Sequence, residues 1–353
     1  MSNSQLQRTK EFIRKVSEGY GVSGYEFSLA PLVIEKFREL SDEVRTDRFG
    51  NVYSLKKGTS RRFKVMLAAH MDEIGLMVKE IDRSGFLRFT TIGGVDPRTL
   101  VGQEVIIHGQ EDILGIIGAI PPHIQTGSSE EAFKLDDLGI DVGIPLAKAS
   151  NLIQIGDTIT LSRQGYDLLN NLFAGKSLDD RAGVAVMAVC LEELRSLYHL
   201  HDVIAVTTAQ EEVGIRGALT SAYTINPDLA VAIDVTHGST PDTKGVVNID
   251  LGKGPALALG PNIHPAIYKG LTEAAREHRL PYQPEPVPGA SGTDAWAIQV
   301  TQAGVPTGLV SIPLRYMHTS VETLDLHDVV NSGKLLAYFI ASLPEDLEGY
   351  LCY

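Results

Sequence analysis

Residues 63–75, FKVMLAAHMDEIG, decide how this chain folds. The run ending at Ala69 is almost continuously apolar and reads as a strand buried on both faces. Just beyond it stand His70 and Asp72, both metal-binding types. Three further runs share its character: VIAVTTA at 203–209, LAVAIDV at 229–235 and TGLVSIP at 307–313. Glu211 and Glu212 follow the first, Asp234 closes the second, and His318 lies in RYMHTSVET after the third. Helical spacing separates them, as in Val186, Val189, Cys190, Leu194 and Leu197 behind the turn SLDDRAG that carries Asp179 and Asp180. Buried strands alternating with helices predict an α/β fold: a mostly parallel central sheet with helices on both faces.

In such sheets ligands bind outside the carboxyl ends of the strands. That rule brings five separated segments to one rim: His70, Glu211 with Glu212, Asp234, His318, and the strand-to-helix turn of Asp179 and Asp180. A lone histidine is usually a hydrogen-bonded core residue, and a DD or EE pair is usually a helix cap or a solvated face. Together they point to two divalent cations, because burying so many carboxylates without cations is costly. His70 and His318 each cap one metal in this reading, and Glu212 and Asp234 supply unshared oxygens. Asp179 or Asp180 bridges. Two cations against three carboxylates leave about one positive charge, which a bridging hydroxide neutralises. Asp72 is placed to orient His70. Adjacent residues of an extended segment point to opposite sides, so one of Glu211 and Glu212 binds metal and the other shuttles protons.

The chain has 353 residues, enough for two domains, and 43% hydrophobic content with 21% charge is ordinary for a globular protein. A net charge of −13 argues against nucleic acid or an anionic membrane as partner. Cys190 and Cys352 do not form a disulfide framework, MSNSQLQRTKEF lacks the core of a signal peptide, and no apolar run reaches bilayer length. A cytoplasmic location is the expectation.

Helical patterns occupy the opening stretch through Val16 and the segment Ala30 to Leu40, and TDRFGNVYSLKKG reads as a strand pair around Gly50 and Asn51. From 75 to 164 the pattern changes to short β-rich pieces: LMVKEI, FLRFTTI, EVIIHG, ILGIIGAI and TITLS. These predict a small barrel or sandwich inserted into a catalytic domain of residues 1–74 and 165–353. His199 and His201 read as surface residues, and His108, His237, His278 and His327 join no constellation. GASGTDAWA, with Gly292, Thr293 and Asp294, reads either as a substrate-binding turn or as a plain Gly-rich loop. His123 in PPHI reads as a turn residue, with a role in a partner's site as the alternative.

At GVSGYE, DRFGNV, AAHMDEIGLMV, IGGVDP, PPHIQ, DDRAG, QEEVGIRGA, AIDVTHG, GTDA, AGVPTGLVSIP and RYMHT the chain resembles the dinuclear-metal aminopeptidases of glutamyl and deblocking type. These assemble into tetrahedral dodecamers, and some relatives carry cellulase or endoglucanase labels. The resemblance implies that His70, Asp179, Glu212, Asp234 and His318 are the metal ligands, with Asp179 bridging. It makes Glu211 the general base and acid, and Asp72 the support of His70. It also implies a PDZ-like inserted domain used for dimerisation. The expected function is a metalloaminopeptidase acting on small peptides with two zinc or cobalt ions, manganese being a further fit. A dinuclear carboxypeptidase or N-acyl amino acid deacylase is the alternative, with Arg315 as its carboxylate anchor. A glycosidase using paired carboxylates, or a non-enzymatic metal-stabilised assembly module, fits the donor set less well.

Overall fold

The computed structural model describes residues 3–119, 134–243 and 249–352. The chain opens with helices α1 (Asn3–Glu18) and α2 (Ala30–Arg38), then strands β1 (Glu43–Thr46), β2 (Val52–Lys56) and β3 (Lys64–His70). Next come β4 (Gly75–Ile81), β5 (Leu87–Ile92), β6 (Glu104–His108), β7 (Asp112–Ala119), β8 (Leu138–Asp141), helix α3 (Leu146–Leu152) and β9 (Thr158–Leu161). Strands β10 (Tyr166–Asp167) and β11 (Leu172–Gly175) lead into α4 (Leu178–Glu193), β12 (Asp202–Thr208), α5 (Arg216–Ile225) and β13 (Leu229–His237). Finally there are β14 (Ala256–Leu259), α6 (Pro265–Glu277), β15 (Gln283–Pro286), α7 (Asp294–Ile298), β16 (Thr307–Leu314), β17 (Glu322–Asp325), α8 (Leu326–Ser342) and α9 (Leu347–Leu351).

The central sheet has the order β1-β2-β12-β3-β13-β16-β14-β15. Its middle is parallel, from β12 through β3 and β13 to β16. The sheet as a whole is mixed, because β2 joins β12 antiparallel and β14 joins β16 antiparallel. The reading of a mostly parallel sheet holds from β12 to β16 and again where β14 pairs with β15, with antiparallel joins at β1–β2, β2–β12 and β14–β16.

Alternation along the strands divides the core. In β13, Leu229, Val231, Ile233 and Val235 enter the large apolar cluster under α1, α4, α6 and α8, and Ala230 and Ala232 face the smaller clusters near α5 and α7. Helix α4 lies between the sheet and α8, and all its residues from Leu178 to Leu191 are buried, so it shows no polar stripe.

Strands β4, β5, β8, β7, β6 and β9 close a barrel with its own apolar core, which includes Leu76, Phe89, Ile107, Ile117 and Ile159. β8 and α3 lie in a stretch whose sequence shows no clear periodicity. His123 lies outside the described residues. Among the described residues no helix is long and apolar enough to cross a membrane.

His199 and His201 are corrections to the sequence reading, since both are buried. His201 Nε2 lies 2.8 Å from the Pro344 carbonyl and the ring meets Phe63 edge-on. The loop between α4 and β12 is held by the backbone of residues 59–61 and by Pro344, contacts that a local pattern cannot reveal.

Candidate metal centre

The same alternation builds the site. On β3, Met66 and Ala68 face the α5 and α7 side, so His70 does too. On β12 Val206 shares that face, and so does Thr208, which is paired in register with His70. On β13 the parity of Ala230 and Ala232 carries to Asp234, which is paired with Ser311 of β16. Four adjacent strands thus present Thr208, His70, Asp234 and Ser311 on one face near their carboxyl ends. The strand carrying Asp234 does not close on it, but runs on to His237.

Asp179 and Asp180 come from outside this sheet. They follow β11, which belongs to a small sheet of β10, β11 and β17, and they begin α4. The peptide between them is cis. Asp179 lines the cleft, with Oδ1 3.2 Å from His70 Nε2 and Oδ2 3.2 Å from His318 Nε2. Asp180 does not line the cleft: it is fully buried, and its oxygens accept the backbone N–H groups of His70 and Gly183.

Glu211 and Glu212 correct another expectation. Their segment is a turn, entered through Gln210 at φ 60°, and not an extended stretch. Both carboxylates therefore line the same cleft. Glu212 Oε1 stands 3.2 Å from His318 Nε2, and Glu211 Oε2 stands 3.9 Å from His70 Nε2. The turn is held from below by Asp72, whose oxygens accept the backbone N–H groups of Glu211 at 3.0 Å and Glu212 at 3.1 Å.

Each imidazole has its Nδ1 near a backbone carbonyl: His70 at 3.2 Å from the Asp72 carbonyl and His318 at 3.0 Å from that of Gly94. A carbonyl can only accept, so Nδ1 carries the proton and Nε2 faces the carboxylates. That is the second-contact arrangement typical of metal-ligating histidines. Gly94 belongs to the loop after β5, so the barrel segment contributes to the site; a Cβ there would come within 2.8 Å of the His318 ring.

The electrostatics are those of an acidic cluster short of positive charge. Burial, with Asp234, Asp294 and Glu212 nearby, pushes Glu211 up to about 9. Burial also raises Asp234 well above the carboxylate range, and Asp179 adds to this. Asp179 goes the other way: burial opposes its charge, but the two histidines outweigh it and hold the carboxyl low. The bonds to Asp179 and Glu212 lift His318 to about 11. Carboxylates that retain protons for lack of a counter-charge are what a divalent cation relieves. The donor atoms also cluster suitably: those of His70, Asp179 and Glu212 lie within 4.8 Å of one another, as do those of His70, Asp180 and Asp234. The residues fit a metal centre.

The cleft has a volume of about 250 Å³ and is lined by His70, Asp179, Glu211, Glu212, Asp234 and His318, with His237, Glu285 and the Ser291–Thr293 turn on its walls. The GASGTDAWA segment is thus part of the cleft, and Asp294 Oδ2 behind it accepts from the Thr208 hydroxyl at 2.6 Å. Arg315 does not line the cleft; its Nε donates to the Ser239 carbonyl at 2.7 Å.

Glu322 was within a quoted motif and yet unassigned. It is buried and accepts the backbone N–H groups of Leu178, Asp179 and His318, tying the DD turn to the histidine loop. Ser23, in GVSGYE, donates to Asp72 at 2.6 Å. A polar residue in a loop carries no sign of which distant backbone it will meet.

Comparison with known proteins finds relatives among the aminopeptidases. Residues 50–335 match the model of the M42 glutamyl aminopeptidase family. The chain is 38% identical over 339 residues to a lysyl aminopeptidase of Pyrococcus furiosus, covering 94% of this chain and 97% of that protein. Aminopeptidase APDkam598 from the archaeon Desulfurococcus kamchatkensis superposes with a TM-score of 0.88 at 39% identity over 95% of both chains. The TET1 peptidase of Pyrococcus horikoshii, which can assemble into a tetrahedron or a large octahedral shell, gives a TM-score of 0.81 at 30% identity, covering 94% of this chain and 99% of that one.

Proposed function

The chain belongs to the M42 glutamyl aminopeptidase family and is a metal-dependent aminopeptidase, and from this premise we propose that it binds two divalent cations and releases N-terminal residues from small peptides. The observation that carries the proposal is Asp179, which presents one oxygen to each histidine. Its placement supports Asp179 as the bridging ligand in preference to Asp180, whose oxygens are taken by backbone amides. His70 and Asp234 then serve one cation, and His318 and Glu212 the other. Zinc or cobalt suits these ligands best, with manganese also compatible.

When bound, two such cations supply a hydroxide at neutral pH and polarise the scissile carbonyl. Glu211 supplies the proton traffic. It lines the cleft beside His70 and is not needed for either donor set, so it can take a proton from the attacking water and return it to the leaving amine. Asp72 acts through the backbone it holds, fixing the direction of both glutamates. The acidic cleft suits a free α-ammonium group and disfavours a carboxylate, and Arg315 is occupied elsewhere, which leaves a carboxypeptidase without its anchor.

We assign residues 1–74 and 165–353 to catalysis and 75–164 to an inserted domain that serves dimerisation. Phe86, Leu114 and Ile116 are exposed on the barrel, an apolar surface of the kind that seeks a partner. With an assembling TET1 peptidase as relative, dimers building a tetrahedral dodecamer is the oligomer proposed. Both cysteines are free thiols, in keeping with a cytoplasmic setting.

The test is a pair of peptides, one with a free amine and one N-acetylated, assayed with and without a chelator. Cleavage of the free peptide alone, abolished by chelation and restored by added metal, is expected. Equal cleavage of the acetylated peptide would overturn the reading.

A further inference from the structure

We propose that Glu285 selects peptides whose N-terminal side chain is cationic, so that lysine and arginine are released in preference to neutral or acidic residues. This rests on the aminopeptidase reading and deepens it. Glu285 lies on β15 and lines the cleft that holds the candidate metal ligands, although it belongs to neither donor group. Its Oε1 accepts from the hydroxyl of Thr236, two residues beyond Asp234 on β13. Its Oε2 is shielded from solvent and has no hydrogen-bond partner among the described residues.

A buried carboxylate oxygen without a donor costs free energy, and a site keeps such a group when a ligand supplies the donor. Among the described residues no lysine or arginine lines the cleft, which leaves the substrate as the source of the missing donor. Val287, Leu309 and Met317 add apolar wall. Apolar walls with one unsatisfied anionic oxygen match a side chain made of methylenes and ending in an ammonium or guanidinium group. A glutamyl side chain would meet like charge, and a leucyl side chain would leave Oε2 unpaired. Thr236 occupies Oε1, and the acceptor capacity of Oε2 is left for a donor to fill.

The experiment measures kcat/KM of the metal-loaded enzyme on Lys, Arg, Leu and Glu chromogenic substrates for the wild type, Glu285→Gln and Glu285→Lys. The wild type is expected to favour Lys and Arg over Leu, and Leu over Glu. Glu285→Gln should lower the Lys-to-Leu ratio roughly 30-fold, the loss typical when one partner of a buried charge pair is removed. Glu285→Lys should move the preference towards Glu. Uniform loss on all substrates would overturn the inference, because it would place Glu285 on the α-amino group or in the scaffold. A wild type that favours Leu or Glu would overturn it equally, while leaving the aminopeptidase reading intact. A metal-loaded wild type that cleaves no free-amine substrate would instead sink that reading, and the inference with it.

Discussion

The Nδ1 of His70 lies 3.6 Å from the Asp72 carboxylate and only 3.2 Å from the carbonyl of the same residue. The imidazole is therefore oriented by the backbone of Asp72. The carboxylate is spent on the N–H groups of Glu211 and Glu212 and the hydroxyl of Ser23. Asp72→Asn keeps the carbonyl and loses an acceptor oxygen, so one glutamate N–H loses its partner. Activity should fall about 10–100-fold, as when outer contacts of metal sites are removed. Metal content of the His70 side should survive better than turnover. Loss of metal without a greater loss of rate would point instead to direct support of the imidazole.

Glu211→Gln is expected to retain metal and lose turnover. The amide has nearly the same shape but cannot take up a proton, and general acid–base groups typically contribute about 10²–10⁴-fold. Metal analysis alongside single-turnover rates checks this. Near-normal turnover would remove Glu211 from the proton-transfer role, and depletion of metal would make it a ligand.

Metal loading should release protons at pH 7. Without cations the cluster keeps them: burial and neighbouring acids raise Glu211 to about 9, and bonds to Asp179 and Glu212 lift His318 to about 11. Ligation requires the deprotonated form of His318, and the incoming cations also favour the ionised form of the neighbouring Glu211, so on the order of two or more protons per subunit should appear in a weakly buffered solution with an indicator dye. Because Glu211 is raised, it is protonated at pH 7 and ionised above about 9, and the yield should fall as the pH increases. A yield that rises with pH contradicts this account. Asp179→Ala should lower occupancy of both cation sites in the same samples, because its two oxygens face different histidines.

How far the site could be read from sequence follows from what sets each part. His70, Asp234 and the EE pair end or follow apolar strands, and strand parity alone sends His70 and Asp234 to one face. Asp179 begins α4 after β11, a strand of a different sheet, so the strand-end rule that grouped it with the others assumed a single sheet that does not carry it. The joint facing of Glu211 and Glu212 was not legible, because it depends on Gln210 at φ 60°, a left-handed backbone that a non-glycine residue does not advertise. His318 at φ 61° is of the same kind. The barrel was visible as short alternating strands, whereas the contact of Gly94 with His318 depends on tertiary placement. Burial of His199 and His201 likewise arises from distant segments, residues 59–63 and Pro344, meeting their loop.

Stability should respond to acid through Glu73. Its carboxyl is buried against two cations, 2.5 Å from Lys176 Nζ and 3.1 Å from Arg181 Nη2, and it also accepts from the Gly21 N–H and the Ser177 hydroxyl. Burial alone would raise it, but Arg181 and Lys176 outweigh that and hold it at about 2, below the ordinary 4.5. A carboxyl depressed by folding stabilises the protein above its ordinary value and loses that contribution as pH falls towards the folded one. Glu73→Gln leaves two buried cations without their counter-ion and should cost about 3–5 kcal/mol at pH 7. The gap between wild type and variant in urea unfolding should hold from pH 7 to 5 and narrow between pH 4.5 and 2. Comparing the two proteins cancels the acid sensitivity that both share at the metal centre. A gap that stays constant into acid would mean that Glu73 acts through shape and hydrogen bonds, and that its charge adds nothing.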